Sequence, residues 1–251
     1  MIEFKGVTKK YDNVIALNNL NLVIPAGKIF DFLGHNGAGK STTIKSLVSI
    51  LNPDAGQIIV DGKDLAEQRF LVKKMIGYVP DSPDIFLQLT AAEYWDMLTA
   101  AEYWDMLAAA YEIKASEKAT RIKELAGSFG ILERQDEVME SYSHGMRQKA
   151  IIVGALLSEP DIWVLDEPLQ GLDPQAAYDL KEMMKKHVAK GKTVIFSTHI
   201  LDTAQQLCDE LAILKKGSLI YNGTVAELLA KEPGKSLEQI YLELAGRKEG
   251  E

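Results

Sequence analysis

Apolar residues along this chain change their spacing twice, and the changes separate three kinds of segment. Over residues 1–60 they come in short bursts broken by turn residues. This predicts strands at 2–4, 20–24, Ile29–Leu33 and 58–60, the last closed by Asp61-Gly62. From about residue 91 to 158 the spacing turns helical, in a background rich in Ala, Glu, Leu and Lys. Unbroken apolar runs then return at Ile162–Leu165 and 193–197, each beside a helical stretch such as 175–189. Such alternation predicts a parallel sheet covered by helices. A late hairpin, 212–214 with 218–221, turns at Lys216-Gly217. No Pro-, Gly- or Ser-rich linker interrupts the pattern. It predicts an α/β fold in one domain, residues 1–246, with a helical subdomain inserted at about 82–158 and a polar tail at 247–251.

One stretch repeats itself. Residues 90–98, Thr-Ala-Ala-Glu-Tyr-Trp-Asp-Met-Leu, recur identically at 99–107. In one continuous helix, at about 100° per residue, that step turns the second copy to the opposite side. Tyr94, Trp95 and Leu98 then cover one face and Tyr103, Trp104 and Leu107 the other. The expectation is a helix apolar nearly all round, buried on two sides or displaced in part from helical register. Two readings stand: a duplication without functional gain, or a second face that grips a membrane partner.

Candidate chemistry gathers where the strand Ile29–Leu33 meets the helix predicted at 42–51. Between them lie Gly34, His35, Asn36, Gly37, Ala38, Gly39, Lys40 and Ser41. Glycines at this spacing let successive N–H groups turn inward onto an anion, at the positive end of the helix dipole. Lys40 then reaches the β- and γ-phosphates of a nucleotide, and the Ser41 hydroxyl binds Mg²⁺. Further on, the run Ile162–Leu165 ends in Asp166-Glu167. Asp166 would hold Mg²⁺ directly or through water, and Glu167 would polarise the water that attacks the γ-phosphate. His199, ending the strand at 193–197, is a candidate γ-phosphate sensor.

The net charge of −8, from 36 acidic and 28 basic residues, counts against a nucleic-acid partner. The single cysteine, Cys208, excludes a disulfide within the chain and reads as a small buried hydrophobe. The N-terminus lacks a signal peptide's apolar core, and no apolar run is long enough to span a membrane. The expectation is a cytosolic protein.

Together these motifs resemble those of the ATP-binding cassette ATPases that power membrane transporters, in order and over about residues 1–246. The resemblance implies a P-loop NTPase core with a mostly parallel sheet, an N-terminal antiparallel β-subdomain and the inserted α-helical subdomain. The loop from Gly34 to Thr42 matches the family's Walker A motif, and Asp166-Glu167 its Walker B motif. Tyr142-Ser143-His144-Gly145-Met146-Arg147-Gln148-Lys149 is similar to its signature loop, Gly171-Leu172-Asp173 to its D-loop, and His199 to its switch histidine. Tyr11, ahead of the first long strand, is placed like the aromatic residue that stacks on adenine. ATP and Mg²⁺ are the implied cofactors. The implied partners are a second cassette, identical or different, packed head to tail, and a separate membrane permease docked on about residues 81–140. In such a pair Ser143 and Gly145 serve the nucleotide held mainly by the partner. The implied location is cytoplasmic, on the inner face of the cell membrane through the permease.

Three departures qualify this. Pro80-Asp81 stands where the family usually has Gln, and the Asp81 carboxylate can still face Mg²⁺. His144 and Met146 give a signature loop that looks like bacterial exporter-type cassettes, which, with the ending 236–244, leans toward export. Asp31 interrupts an apolar strand where a small residue is usual. The alternative is a soluble cassette ATPase not coupled to transport.

Overall fold

The structure, a computed structural model, describes residues 1–82 and 98–246. The first copy of the repeat up to residue 97, part of the expected helical insertion and the polar tail lie outside the described residues. The chain divides into two compact units, Met1–Lys73 with Lys185–Glu251, and Lys74–Met184.

The first unit holds an antiparallel sheet of order β2-β1-β4-β5, from β1 (Ile2–Tyr11), β2 (Val14–Ile24), β4 (Ala55–Val60) and β5 (Lys63–Asp64). β1 runs well past the predicted 2–4. Its inward positions Ile2, Phe4 and Val7 lose their alternation at Gly6, which sits at φ 63° where the pairing with β2 shifts register. A bulge of this kind breaks the period that a pattern search follows. The turn at Asp61-Gly62 forms as predicted, with both residues at positive φ, 46° and 76°.

In the same unit β3 (Ile29–Leu33) runs parallel to β8 (Thr193–Thr198) on one side and to β9 (Glu210–Lys215) on the other. β9 forms a hairpin with β10 (Ser218–Gly223) through Lys216 and Gly217. All five β3 residues are buried, as an unbroken apolar run in a parallel sheet requires. α1 (Lys40–Leu47) follows β3, starting two residues before the predicted 42, and Ser49 at φ 58° turns the chain out of it. α2 (Arg69–Met75) leads out of β5. Near the C-terminus α7 (Leu201–Leu207), α8 (Val225–Lys231) and α9 (Leu237–Leu244) close on an apolar cluster of Leu33, Ala204, Leu211, Ile213, Val225, Leu228, Leu237 and Ile240.

The second unit holds the parallel pair β6 (Ile76–Val79) and β7 (Ile162–Leu165) with α3 (Ala100–Ala110), α4 (Ala115–Ser128) and α5 (His144–Leu156). α6 (Pro174–Ala189) begins there. The single continuous helix expected for the repeat is not formed. Thr99 is extended at φ −75°, ψ 160°, bridges to Val138 and caps a new helix, its hydroxyl accepting from the Glu102 N–H while Glu102 accepts from the Thr99 N–H. The second copy is core. Tyr103 and Trp104 are buried, the Trp104 indole donates to the Ala150 carbonyl at 2.9 Å, and Tyr103 and Leu107 fill the space over Gly154 of α5.

Candidate functional site

In the first unit β3 and β8 run parallel with Leu33 beside Thr198, so the phosphate-loop candidate and His199 emerge at the same end. The loop from Gly34 to Ser41 curls back on itself, the Ala38 N–H donating to the His35 carbonyl at 3.1 Å. Gly39 caps α1 at φ 110°, and a Cβ there would stand 2.8 Å from the Ala16 carbonyl oxygen, so both conformation and space demand glycine. Lys40 is buried, and its ammonium donates to the Gly34 carbonyl at 2.6 Å and to that of His35 at 3.5 Å. A positive charge is thereby held inside the curl of the loop. Ser41 and Thr42 follow in the first turn of α1, both half-buried.

The loop has a support that its own sequence does not reveal. The Gly217 N–H donates to the Ala38 carbonyl and the Asn18 N–H to that of Gly217, each at 2.9 Å. From the sequence Gly217 reads only as a hairpin turn. His199 is exposed on a turn pinned by the Ile200 N–H donating to the Thr198 hydroxyl at 3.0 Å. Tyr11 is the last residue of the ten-residue strand β1 and does not precede the first long strand. The bulge at Gly6, which hid the rest of β1, is the reason. Tyr11 is 44% exposed, with the Lys9 ammonium 5.7 Å from its ring centroid. Asp31 is fully buried in β3; burial and the Asp31 charge push the Cys208 thiol up, and its Sγ donates to the Ala204 carbonyl. No functional role for Asp31 follows from these contacts.

The remaining candidates lie in the second unit. β6 and β7 run parallel with Val79 beside Leu165, so Pro80-Asp81 and Asp166-Glu167 leave the pair at one end. The Asp166 N–H donates to the Val79 carbonyl at 2.8 Å, and its side chain is fully buried. Glu167 is half-buried and sits at φ 47°, a left-handed conformation that side-chain-bearing residues rarely adopt. Asp81 is exposed, one of its oxygens accepting from the Ser82 N–H at 2.9 Å. Tyr78 belongs to this group although its sequence position suggests only a strand residue. Burial, then the nearby charges of Asp166 and Asp81, push its hydroxyl above the usual range, so it stays protonated beside both carboxylates.

Ser143 caps α5, its hydroxyl accepting from the Met146 N–H at 3.3 Å. A Cβ on Gly145 would come within 2.8 Å of the Gly171 carbonyl oxygen, and the His144 ring lies against Gly171. The Lys149 ammonium meets the Asp173 carboxylate at 2.9 Å. The start of α5, with Ser143 and Gly145, is therefore tied to the loop carrying Gly171 and Asp173.

Chemically, the first group suits a polyanion: it sets a buried ammonium beside a helix N-terminus. The Ser41 hydroxyl in the first unit and the Asp166 carboxylate in the second are each hard oxygen donors of the kind that Mg²⁺ takes. Among the described residues no group of three or more His, Cys, Asp or Glu side chains converges to cage a metal.

Comparison with known proteins gives a consistent picture. A family model described as ABC transporter matches residues 17–170. The ABC-type transporter ATP-binding protein EcsA of Bacillus subtilis is 32% identical over 246 residues, 97% of this chain and 96% of its own. The Nod factor export ATP-binding protein I of Burkholderia lata is 32% identical over 240 residues, 96% of this chain and 76% of its own. Some curated relatives are longer, and the chain spans 63% of the length of an ABC transporter ATP-binding protein from Nostoc. A solved structure of an ATP binding subunit of ABC transporter superposes with a TM-score of 0.88 at 33% identity, covering 97% of this chain and 99% of that one.

Proposed function

This chain belongs to the ABC transporter family, and from that membership and its phosphate loop we infer that it is the subunit that binds and hydrolyses ATP to energise export through a separate membrane permease. The observation that carries this reading is the loop itself, with Gly39 opening α1 and the Lys40 ammonium enclosed on the Gly34 carbonyl.

The loop's N–H groups take the phosphates, and Lys40 exchanges the Gly34 carbonyl for phosphate oxygens. Ser41 and Asp166, with Asp81 in the same role, would hold Mg²⁺, which would neutralise charge on the terminal phosphates. Glu167 takes the proton of the attacking water, and His199 contacts the γ-phosphate. Tyr11 stacks on the adenine. Ser143 and Gly145 serve the nucleotide of a second cassette, identical or different, packed head to tail. Catalysis here is mostly positioning and charge stabilisation, so turnover depends on closure of that pair. Residues 1–246 form one such cassette, with 82–158 as its helical subdomain and about 81–140 as the docking face for the permease. The subunit works at the cytoplasmic face of the membrane, and its partners do not include nucleic acid. The export direction is supported by the Burkholderia relative and by the Ser143–Met146 sequence.

Calorimetric titration with MgATP and a phosphate-release assay test this. The native chain binds MgATP; Lys40→Ala weakens binding by about tenfold or more, as loss of a charge-assisted contact predicts. Glu167→Gln keeps binding and loses turnover by a factor of about 10² or more. A folded native chain that gives no heat with MgATP ends the reading, and near-native hydrolysis by Glu167→Gln removes Glu167 from the chemistry.

A further inference from the structure

The turn between β9 and β10 is wedged between the phosphate loop and β2, and backbone groups alone hold it there. The Gly217 N–H donates to the Ala38 carbonyl, and the Gly217 carbonyl accepts from the Asn18 N–H, each at 2.9 Å. Both polar groups of one turn residue are thereby committed, one to the loop and one to β2. The same hairpin closes on the first residue of the loop, where a Cβ on Gly34 would stand 2.9 Å from the Leu214 carbonyl oxygen. At the far end a Cβ on Gly39 would stand 3.3 Å from the Gly217 Cα. Gly217 has no more room than its neighbours: its own Cβ would come within 2.5 Å of the Ala16 carbonyl oxygen and 3.0 Å of the Leu17 Cα. The peptide between Ala38 and Gly39 is trans. A carbonyl clamped on the hairpin therefore turns the Gly39 N–H the opposite way, away from the hairpin.

We propose that Gly217 is a positioning residue for nucleotide binding: it anchors the Ala38 carbonyl, and with it the direction of the Gly39 N–H at the start of α1, before ligand arrives. An anion site needs its carbonyls turned outward, so that the N–H groups are left for the phosphates. Order present beforehand need not be imposed on binding, which appears as affinity. The inference rests on the nucleotide reading of the loop. A second turn in the same unit separates backbone strain from positioning. Asp61-Gly62, at φ 46° and 76°, has nearly the conformation of Lys216-Gly217, at 48° and 76°. Yet a Cβ on Gly62 meets nothing within 4 Å. Alanine at either glycine carries a similar conformational cost, and only at 217 does it also push the turn off the loop.

Gly217→Ala should raise the Kd for MgATP roughly two- to tenfold, the range for one neutral hydrogen bond, with kcat at saturating ATP within about twofold of native. Gly62→Ala should lower the melting temperature and leave the Kd unchanged. Equal MgATP affinity in Gly217→Ala and the native chain overturns the proposal. So does a loss of affinity in both variants that scales with their loss of melting temperature. Should Gly217→Ala not fold, amide exchange in the native chain decides. With no nucleotide present the Gly217 N–H should exchange on the order of 10²-fold more slowly than an open amide, and an unprotected Gly217 N–H overturns the proposal. If the native chain itself takes up no MgATP, the nucleotide reading falls and this inference with it. If it does and Gly217→Ala matches it, this inference alone falls.

Discussion

Glu167 carries a full side chain at φ 47°, where the backbone crowds Cβ at a cost of about 1 kcal/mol or more. Such strain persists where the surroundings impose it, here directly after the paired strand end at Asp166. Glu167→Gly should release it, raising stability by up to about 1 kcal/mol in chemical denaturation while phosphate release collapses. A variant that is neither steadier nor less active would contradict both halves of that argument. Gly39 is the reverse case. Gly39→Ala drives a Cβ against the Ala16 carbonyl at a φ of 110° and should cost about 1–3 kcal/mol, with weaker MgATP uptake. Gly39, Lys40, Asp166 and Glu167 could be named from sequence because the chemistry requires their types at fixed local spacing. Tyr78 and Gly217 could not. Asp166 and Ala38, which give them their relevance, lie far off along the chain.

At the level of elements, β3 and β7 coincide with their predicted bounds because each is an unbroken apolar run, which a buried parallel strand needs. The missing two-thirds of β1 has a physical cause in the register shift at Gly6, beyond which Thr8, Lys9 and Lys10 no longer alternate cleanly. The repeat departs from one continuous helix for a different reason. A Thr-x-x-Glu start is written at Thr99 and Glu102, although the apolar periodicity runs through it. With Trp104 fully buried and bonded to the Ala150 carbonyl, Trp104→Ala should destabilise the protein by about 3–5 kcal/mol, measurable by urea unfolding. A loss under about 1 kcal/mol would mean that this face is not core.

For the molecule as a whole, pH response follows from exposed carboxylates held low by their partners. Asp173 is lowered by the Ala176 N–H and then Lys149, Glu137 by Arg134, Asp54 by the Lys10 N–H and then Lys9, and Glu227 by Thr224. A carboxyl lowered on folding stabilises above its ordinary value, 3.8 for Asp and 4.5 for Glu, and loses that contribution as pH falls through the folded value. The melting temperature should therefore stay level from neutrality to about pH 5 and drop below about pH 4, less steeply in Asp173→Asn. The proposed head-to-tail pairing carries its own expectation: Glu167→Gln with MgATP should run as a dimer in light scattering, and as a monomer without nucleotide. Persistent monomer under both conditions would count against it. The cap at Thr99 also bears on how this chain can change its length. A helix that starts afresh takes its rotational phase from the bridge to Val138, and residues gained or lost upstream leave Tyr103 and Trp104 pointing where they did. A duplication of any size can end at that boundary without turning an aromatic stripe toward water.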